Sequence, residues 1–220
     1  MVKNKIVGTV FTALSVDGYV AKRDGDISWM TLPAPVTDGV ANPDDGFGFQ
    51  AFMSSVDCII MGRVTFDSVL SFGEEMWAYG NKRIIIYTRN PNGVMAGLPP
   101  FLMNTGRVSA SALPPKELLA QLQKDGHRHA YIDGANTISS FMKEKLINYL
   151  HLTRIPVLLG DGIPLFPSQG GNLYGAVTKP PKEVYLSLEE NQVHENGMVT
   201  GKYQVLYGQN PNKGTGCVIS

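Results

Sequence analysis

Cys58-Ile59-Ile60-Met61-Gly62-Arg63-Val64-Thr65-Phe66 is the stretch on which the fold turns. Its four apolar residues in a row suit a strand covered on both faces. Gly62-Arg63 breaks that strand, and Thr65 can cap a helix carrying Phe66, Val69 and Leu70. The same grammar returns where Ala130-Tyr131-Ile132 runs into Asp133-Gly134-Ala135-Asn136-Thr137, with Ile138, Phe141, Met142, Leu146 and Tyr149 at helical spacing beyond it. Working outward, Ile6 to Leu14 reads as a first strand, Arg83 to Tyr87 as another buried one, and Leu150, Leu152 and Ile155 as a third. A short helix is expected near Phe49, Phe52 and Met53. Pro114-Pro115 opens a longer one with Leu118, Leu119 and Leu122 on one face, stopped by Gly126. Near the end Val184, Leu186 and Leu188 alternate, as do Tyr203, Val205 and Tyr207. Asn196-Gly197 between them supplies the positive φ angles of a tight hairpin turn. Strands alternating with helices and closed by a hairpin predict a three-layer α/β domain. Its central sheet is mostly parallel, helices cover both faces, and an antiparallel hairpin lies at the C-terminus. One domain over residues 1–207 and a flexible tail over 208–220 are expected, and residues 15–48 read as one long loop, functional or misread.

Composition narrows the function. The chain has 220 residues, 43% hydrophobic and 17% charged, enough apolar content for a packed core and too much for disorder. Nineteen basic residues balance nineteen acidic ones, so no basic field favours nucleic acid. Cys58 and Cys217 make no disulfide framework, and the chain has no Asn-x-Ser/Thr sequon. The absence of a long apolar run or an apolar N-terminal stretch predicts a soluble, cytoplasmic protein with no transmembrane segment.

Both strand–Gly–helix junctions place unpaired amides and a positive dipole end where a phosphate binds well. Such turns also join elements in any α/β protein, and a single one is weak evidence. Neither a full Gly-x-Gly-x-x-Gly fingerprint nor a Walker loop is present. His127, His129, His151 and His194 show no metal-ligand spacing, and the first two read as surface residues. No serine sits in a Gly-x-Ser-x-Gly elbow. In the long loop, Asp17, Asp24, Asp26, Asp44 and Asp45 could close over a site with Trp29 excluding water. Asp24, Asp44 and Asp45 read rather as surface turns, and Asp17 reads either way.

Three motifs, Leu14-Ser15-Val16-Asp17-Gly18-Tyr19-Val20-Ala21, Met61-Gly62-Arg63-Val64-Thr65-Phe66 and Arg154-Ile155-Pro156-Val157-Leu158-Leu159-Gly160-Asp161-Gly162-Ile163-Pro164-Leu165-Phe166, occur in order over roughly residues 5–207. Together they resemble the dihydrofolate-reductase-like superfamily, most nearly the reductase domain of the bifunctional deaminase–reductase of riboflavin biosynthesis. The resemblance implies NADPH bound across the strand ends. Ala13 would lie beside the nicotinamide, and Val20 and Ala21 on a covering loop. Gly62, Arg63, Val64 and Thr65 would hold the phosphates and the 2′-phosphate side, and Thr88 and Arg89 would face the adenosine. Gly134, Ala135, Asn136 and Thr137 would cradle the pyrophosphate. It also implies a homodimer and a small-molecule substrate. Two departures stand out: the family commonly has Gly-Gly where this chain has Asp133-Gly134, and of the acids near the first helix only Asp45 could replace the carboxylate that dihydrofolate reductases set against the pterin.

The resulting expectation is an NADPH-dependent oxidoreductase acting on a small heterocyclic or sugar-derived substrate. Its nearest named activity is 5-amino-6-(5-phosphoribosylamino)uracil reduction. Dihydrofolate reduction and a non-catalytic NADPH sensor or tether are the alternatives. The proton accompanying the hydride would come from Asp17, Asp26, Asp45 or bound water. The last four residues, Cys217-Val218-Ile219-Ser220, read either as a farnesylation box giving a weak lipid anchor at Cys217 or as an exposed, unmodified cysteine.

Overall fold

Each aliphatic run becomes a strand of one eight-stranded sheet in the computed structural model, which describes residues 5–30, 48–167 and 183–208. In chain order the elements are β1 (Val7–Ser15), β2 (Tyr19–Ala21), α1 (Phe49–Ser55), β3 (Cys58–Gly62), α2 (Arg63–Ser71), β4 (Arg83–Tyr87), α3 (Pro91–Met95) and β5 (Val108–Ser111). There follow α4 (Pro115–Lys124), β6 (His129–Asp133), α5 (Ala135–Lys143), β7 (Tyr149–Ile155), β8 (Ile163–Pro164), β9 (Tyr185–Val193) and β10 (Val199–Leu206). The sheet order is β5-β4-β3-β6-β1-β7-β10-β9. The first six strands run parallel, and β10 and β9 add an antiparallel pair at one edge.

Alternation along the strands sorts the core into two layers. Val10, Cys58, Ile60, Ile85, Ala130 and Ile132 face Leu118, Leu119 and Leu122 of α4 and Ile138, Phe141 and Met142 of α5. Their chain neighbours Phe11, Ile59, Met61, Ile84, Ile86 and Tyr131 face Phe52 and Met53 of α1, Phe66 of α2 and Val94 of α3. Because successive side chains point to opposite faces, continuous apolar runs serve both layers. β3 and β6 are neighbours, yet α2 leaves β3 for one face and α5 leaves β6 for the other. Such a divergence opens a crevice at the carboxyl ends of a parallel sheet.

The structure corrects several local expectations. α2 begins at Arg63 with Gly62 as its N-cap, so Thr65 lies inside the first turn and caps nothing. The loop over 15–48 contains β2, which pairs with β8, and a 3-10 turn at Ser28–Met30. A three-residue strand whose partner lies over 140 residues away leaves no period to read. The β9–β10 hairpin forms, but only Gly197 takes positive φ, at 82°. Gly197 N donates to His194 O at 2.9 Å, and His194 N to Met198 O at 2.9 Å, giving a longer connection closed by a left-handed glycine. α3 and β5 were not expected, since five- and four-residue elements carry too little pattern. Among the described residues no helix is long and apolar enough to cross a membrane. Asp44, Asp45, Cys217 and the tail beyond Gly208 lie outside the described residues.

Candidate functional site

The two glycine junctions meet. Met61 pairs with Asp133 across β3 and β6, so Gly62 and Gly134 stand side by side as the N-caps of α2 and α5. A Cβ built on Gly134 would overlap Thr65 Oγ1, and one on Gly62 would stand 2.9 Å from Thr137 Oγ1. Glycine at both positions is what lets each helix start approach the other's first turn. Gly134 also holds φ at 87°, which side-chain-bearing residues avoid. No side chain caps either helix, so the first-turn amides of two nine-residue helices are left to a ligand or solvent. Two positive dipole ends thus face one crevice.

The remaining predicted cofactor residues surround this point. Tyr87 pairs with Gly62, so Thr88 and Arg89 follow one step further along the neighbouring strand end. Thr88 Oγ1 accepts from Asn90 N at 3.2 Å, and Arg89 is exposed. Arg63 Nε meets both carboxylate oxygens of Asp67 at 2.7 Å. Both side chains are exposed, so the pair is weak and a phosphate could compete for the guanidinium. Val64, Asn136 and Ala135 sit in the two first turns, Val64 and Asn136 exposed and Ala135 half-buried, with Thr137 buried. On the other flank Ala13 of β1 pairs with Thr153 of β7, and Val20 and Ala21 lie in β2.

Asp17 and Asp26, expected as proton donors, are engaged elsewhere. Asp17 Oδ1 accepts from Ser15 Oγ at 2.5 Å and Leu159 N at 3.2 Å, and Oδ2 from Gly160 N at 2.7 Å. The Ser15 hydroxyl, aided by the two amides, holds this carboxyl below the usual range. Asp17 therefore clasps the β1–β2 turn to the loop after β7, where Val16 N also donates to Val157 O at 2.9 Å. Asp26 takes Lys22 Nζ at 2.6 Å and Ser28 N and Oγ at 2.8 Å. The lysine, with Ser28, brings it down to about 2. A group ionised throughout the neutral range has no proton to give.

Asp133 behaves in the opposite way. As the last residue of β6 it shares a strand face with His129 and Tyr131, and its Oδ1 accepts from Gly134 N at 2.8 Å. Burial raises its carboxyl to about 6, offset in part by the Gly134 amide and the Tyr131 hydroxyl. Tyr131 donates to Phe11 O at 3.0 Å, and both Tyr131 and Tyr79 are pushed up by burial with Asp133 adding to the shift. Around them Phe11 stacks on Phe52 at 4.8 Å, and half-buried Phe49 lies 5.5 Å from Phe11 and 6.5 Å from Tyr131. Sequence reasoning missed this aromatic wall because its members come from four separate segments, β1, α1, β6 and the turn before β4.

Two histidine readings also change. His129 is half-buried, with Nε2 2.7 Å from Thr9 Oγ1 and Nδ1 3.0 Å from Ser55 O, and burial lowers its pKa. His127 Nδ1 lies 3.2 Å from Asp57 Oδ1, and ligand atoms of Asp57, Cys58 and His127 gather within 4.8 Å of one another. Asp57 Oδ2 there accepts from Arg128 N at 2.7 Å and His129 N at 3.1 Å, while burial drives the Cys58 thiol far above its ordinary value. A protonated thiol ligates poorly. The cluster works as a clasp at the strands' amino ends, away from the crevice.

The model of the RibD C-terminal domain matches residues 7–199. The chain belongs to the RibD C-terminal domain family. Its relatives include the uncharacterized protein YwjB of Bacillus subtilis (strain 168), 31% identical over 157 residues, which are 71% of this chain and 80% of YwjB. A candidate riboflavin biosynthesis protein of Shewanella sp. PV-4 has a crystal structure that superposes with a TM-score of 0.71 at 30% identity, covering 91% of this chain and 99% of that one. RibD of Acinetobacter baumannii gives a TM-score of 0.61 at 15% identity, over 93% of this chain and 59% of that one. The expected family and the dihydrofolate-reductase-like α/β fold are therefore those of the protein.

Proposed function

We propose that this RibD C-terminal domain is an NADPH-dependent reductase of a small, flat substrate. The observation that carries the proposal is the pair of glycine-capped helix N-termini at adjoining strand ends, with no side chain on their first-turn amides. Those amides suit a pyrophosphate, because each bound oxygen meets fixed donors and a positive dipole end. Arg63 and Arg89 flank the same strand ends and are exposed, which fits them to a 2′-phosphate by charge and fork geometry. Ala13, small and half-buried beside the crevice, leaves room for a ring, and the β2–β8 sheet with its Asp17 clasp holds Val20 and Ala21 where they can keep water out.

A bound reduced nicotinamide supplies the hydride. The chain's own work is to hold the phosphates at α2 and α5, to exclude water through β2, and to stack a flat heterocycle. Half-buried Phe49 and the Phe11, Tyr79 and Tyr131 rings beside it support that last role. With Asp17 and Asp26 both ionised, bound water remains as proton source among the described candidates.

Titration with NADPH and NADH by fluorescence quenching tests the reading, with Arg63→Ala and Arg89→Ala alongside. Losing an Arg that meets the 2′-phosphate weakens NADPH binding by about 1.5–3 kcal/mol and leaves NADH nearly unchanged. If neither variant discriminates the two dinucleotides, the proposed orientation is wrong. Loss of reduced-nicotinamide absorbance with the ribosylaminopyrimidine phosphate, dihydrofolate and related heterocycles measures turnover. Binding without turnover across that panel favours a non-catalytic dinucleotide sensor.

A further inference from the structure

Asp133 stands where an anion is expected and is itself an acid. It ends β6 one residue before the N-cap of α5, opposite Met61 and thus beside the N-cap of α2. Its Oδ1 already occupies the Gly134 amide at 2.8 Å. No cation pairs with it among the described residues. On its own strand it faces the Tyr131 phenol, and from the segment before β4 it feels the Tyr79 phenol, both held protonated by burial. α2 offers Arg63, which is turned onto Asp67, and the first turn of α5, Ala135 to Ile138, has no ionisable group. β1 contributes only the Phe11 carbonyl through Tyr131. The carboxylate is therefore balanced by the helix dipole, the Gly134 amide and the Tyr131 hydroxyl, with no cation among the described residues, and the first two are the resources a pyrophosphate would use.

We propose that Asp133 couples dinucleotide binding to the uptake of a proton, becoming neutral when phosphate takes the amides of α2 and α5. The proposal rests on the reading of the crevice as a dinucleotide site. Like charges a few ångströms apart in a half-buried crevice cannot both persist cheaply, and the group able to neutralise is the one poised near 6. At lower pH the acid is protonated before the ligand arrives. Above pH 6 binding has to draw the proton from solvent, so affinity falls as pH rises. Asp133 thereby sets the pH range over which the site fills.

Calorimetric titration with NADPH at pH 7.5, in two buffers of different ionisation enthalpy, counts the protons. NADH is the second probe, since it lacks the 2′-phosphate that itself titrates near pH 6. For the unaltered protein both dinucleotides take up a substantial fraction of one proton, and NADH affinity declines between pH 6 and 8. Asp133→Asn abolishes the uptake for NADH and tightens its binding about tenfold at pH 8. Asp133→Gly, restoring a Gly-Gly pair, does the same and guards against a fault peculiar to the amide. Binding of NADH without proton exchange in the unaltered protein, or equal affinity of both variants and parent at pH 8, overturns the coupling alone. Failure of NADPH and NADH to bind any of the three proteins at millimolar concentration overturns the dinucleotide site, and the coupling with it.

Discussion

A carboxyl group's surroundings set its role here more than its position along the chain. Asp17 and Asp26 are surrounded by donors and stay charged, whereas Asp133 is half-buried beside two phenols and resists ionisation. For Asp133 the folded value near 6 lies above the ordinary 3.8, so the folded state is favoured by protonation. That contribution is intact below about pH 4 and lost as pH climbs through 6, and the loss by neutral pH is roughly 1–3 kcal/mol. Asp133→Asn should therefore unfold at a higher temperature than the parent at pH 8, with the gap closing towards pH 4.5. A pH-independent difference would mean that the carboxyl is not the cause. Asp17 runs the other way: its clasp weakens as pH falls below 4, and Asp17→Asn should speed proteolysis of the β1–β2 turn at neutral pH. Cys58, fully buried with its thiol pushed up, should resist iodoacetamide until the protein unfolds.

Among the elements, the starts of α2 and α5 hold the crevice together, and their two glycines are not equivalent. Gly134 has φ of 87° and no room for a Cβ beside Thr65, so Gly134→Ala costs about 1–3 kcal/mol from the backbone alone and displaces α5. Gly62 has φ of −71°, which any residue adopts, and its obstacle is a single Thr137 hydroxyl. Gly62→Ala should thus lose less stability, while both variants bind NADPH more weakly. Thermal unfolding and dinucleotide titration separate the two effects, and equal destabilisation by both would contradict the steric account. Thr65 illustrates how an element-level reading went astray. Threonine three residues past a strand suits a cap, yet the helix begins three residues earlier because Gly62 can end the strand and start the turn at once.

For the whole molecule, the crevice exists because β6 inserts between β3 and β1, so that neighbouring strands send their helices to opposite faces. A ligand bridging α2 and α5 ties both layers together and stabilises the native state by mass action. NADPH at about 100 times its dissociation constant adds about 2.7 kcal/mol, and for a chain of this size that raises the melting temperature by roughly 5–10 °C. Thermal scans with and without NADPH check this, and an unchanged midpoint at millimolar NADPH would count against the site. The sequence alone determined the strand runs, the α4 face, the Ile138, Phe141 and Met142 face of α5 (though not its end at Lys143, before Leu146 and Tyr149), the terminal hairpin and both glycine junctions, since hydrophobic period and glycine placement are local properties. Only the tertiary structure decided that the junctions touch, that Asp17 is a clasp, that His129 is half-buried and that Asp133 sits among tyrosines. Those facts depend on strand order and on contacts between residues far apart in the chain, and burial, which sets a carboxyl's charge, is made by neighbours that no local pattern names.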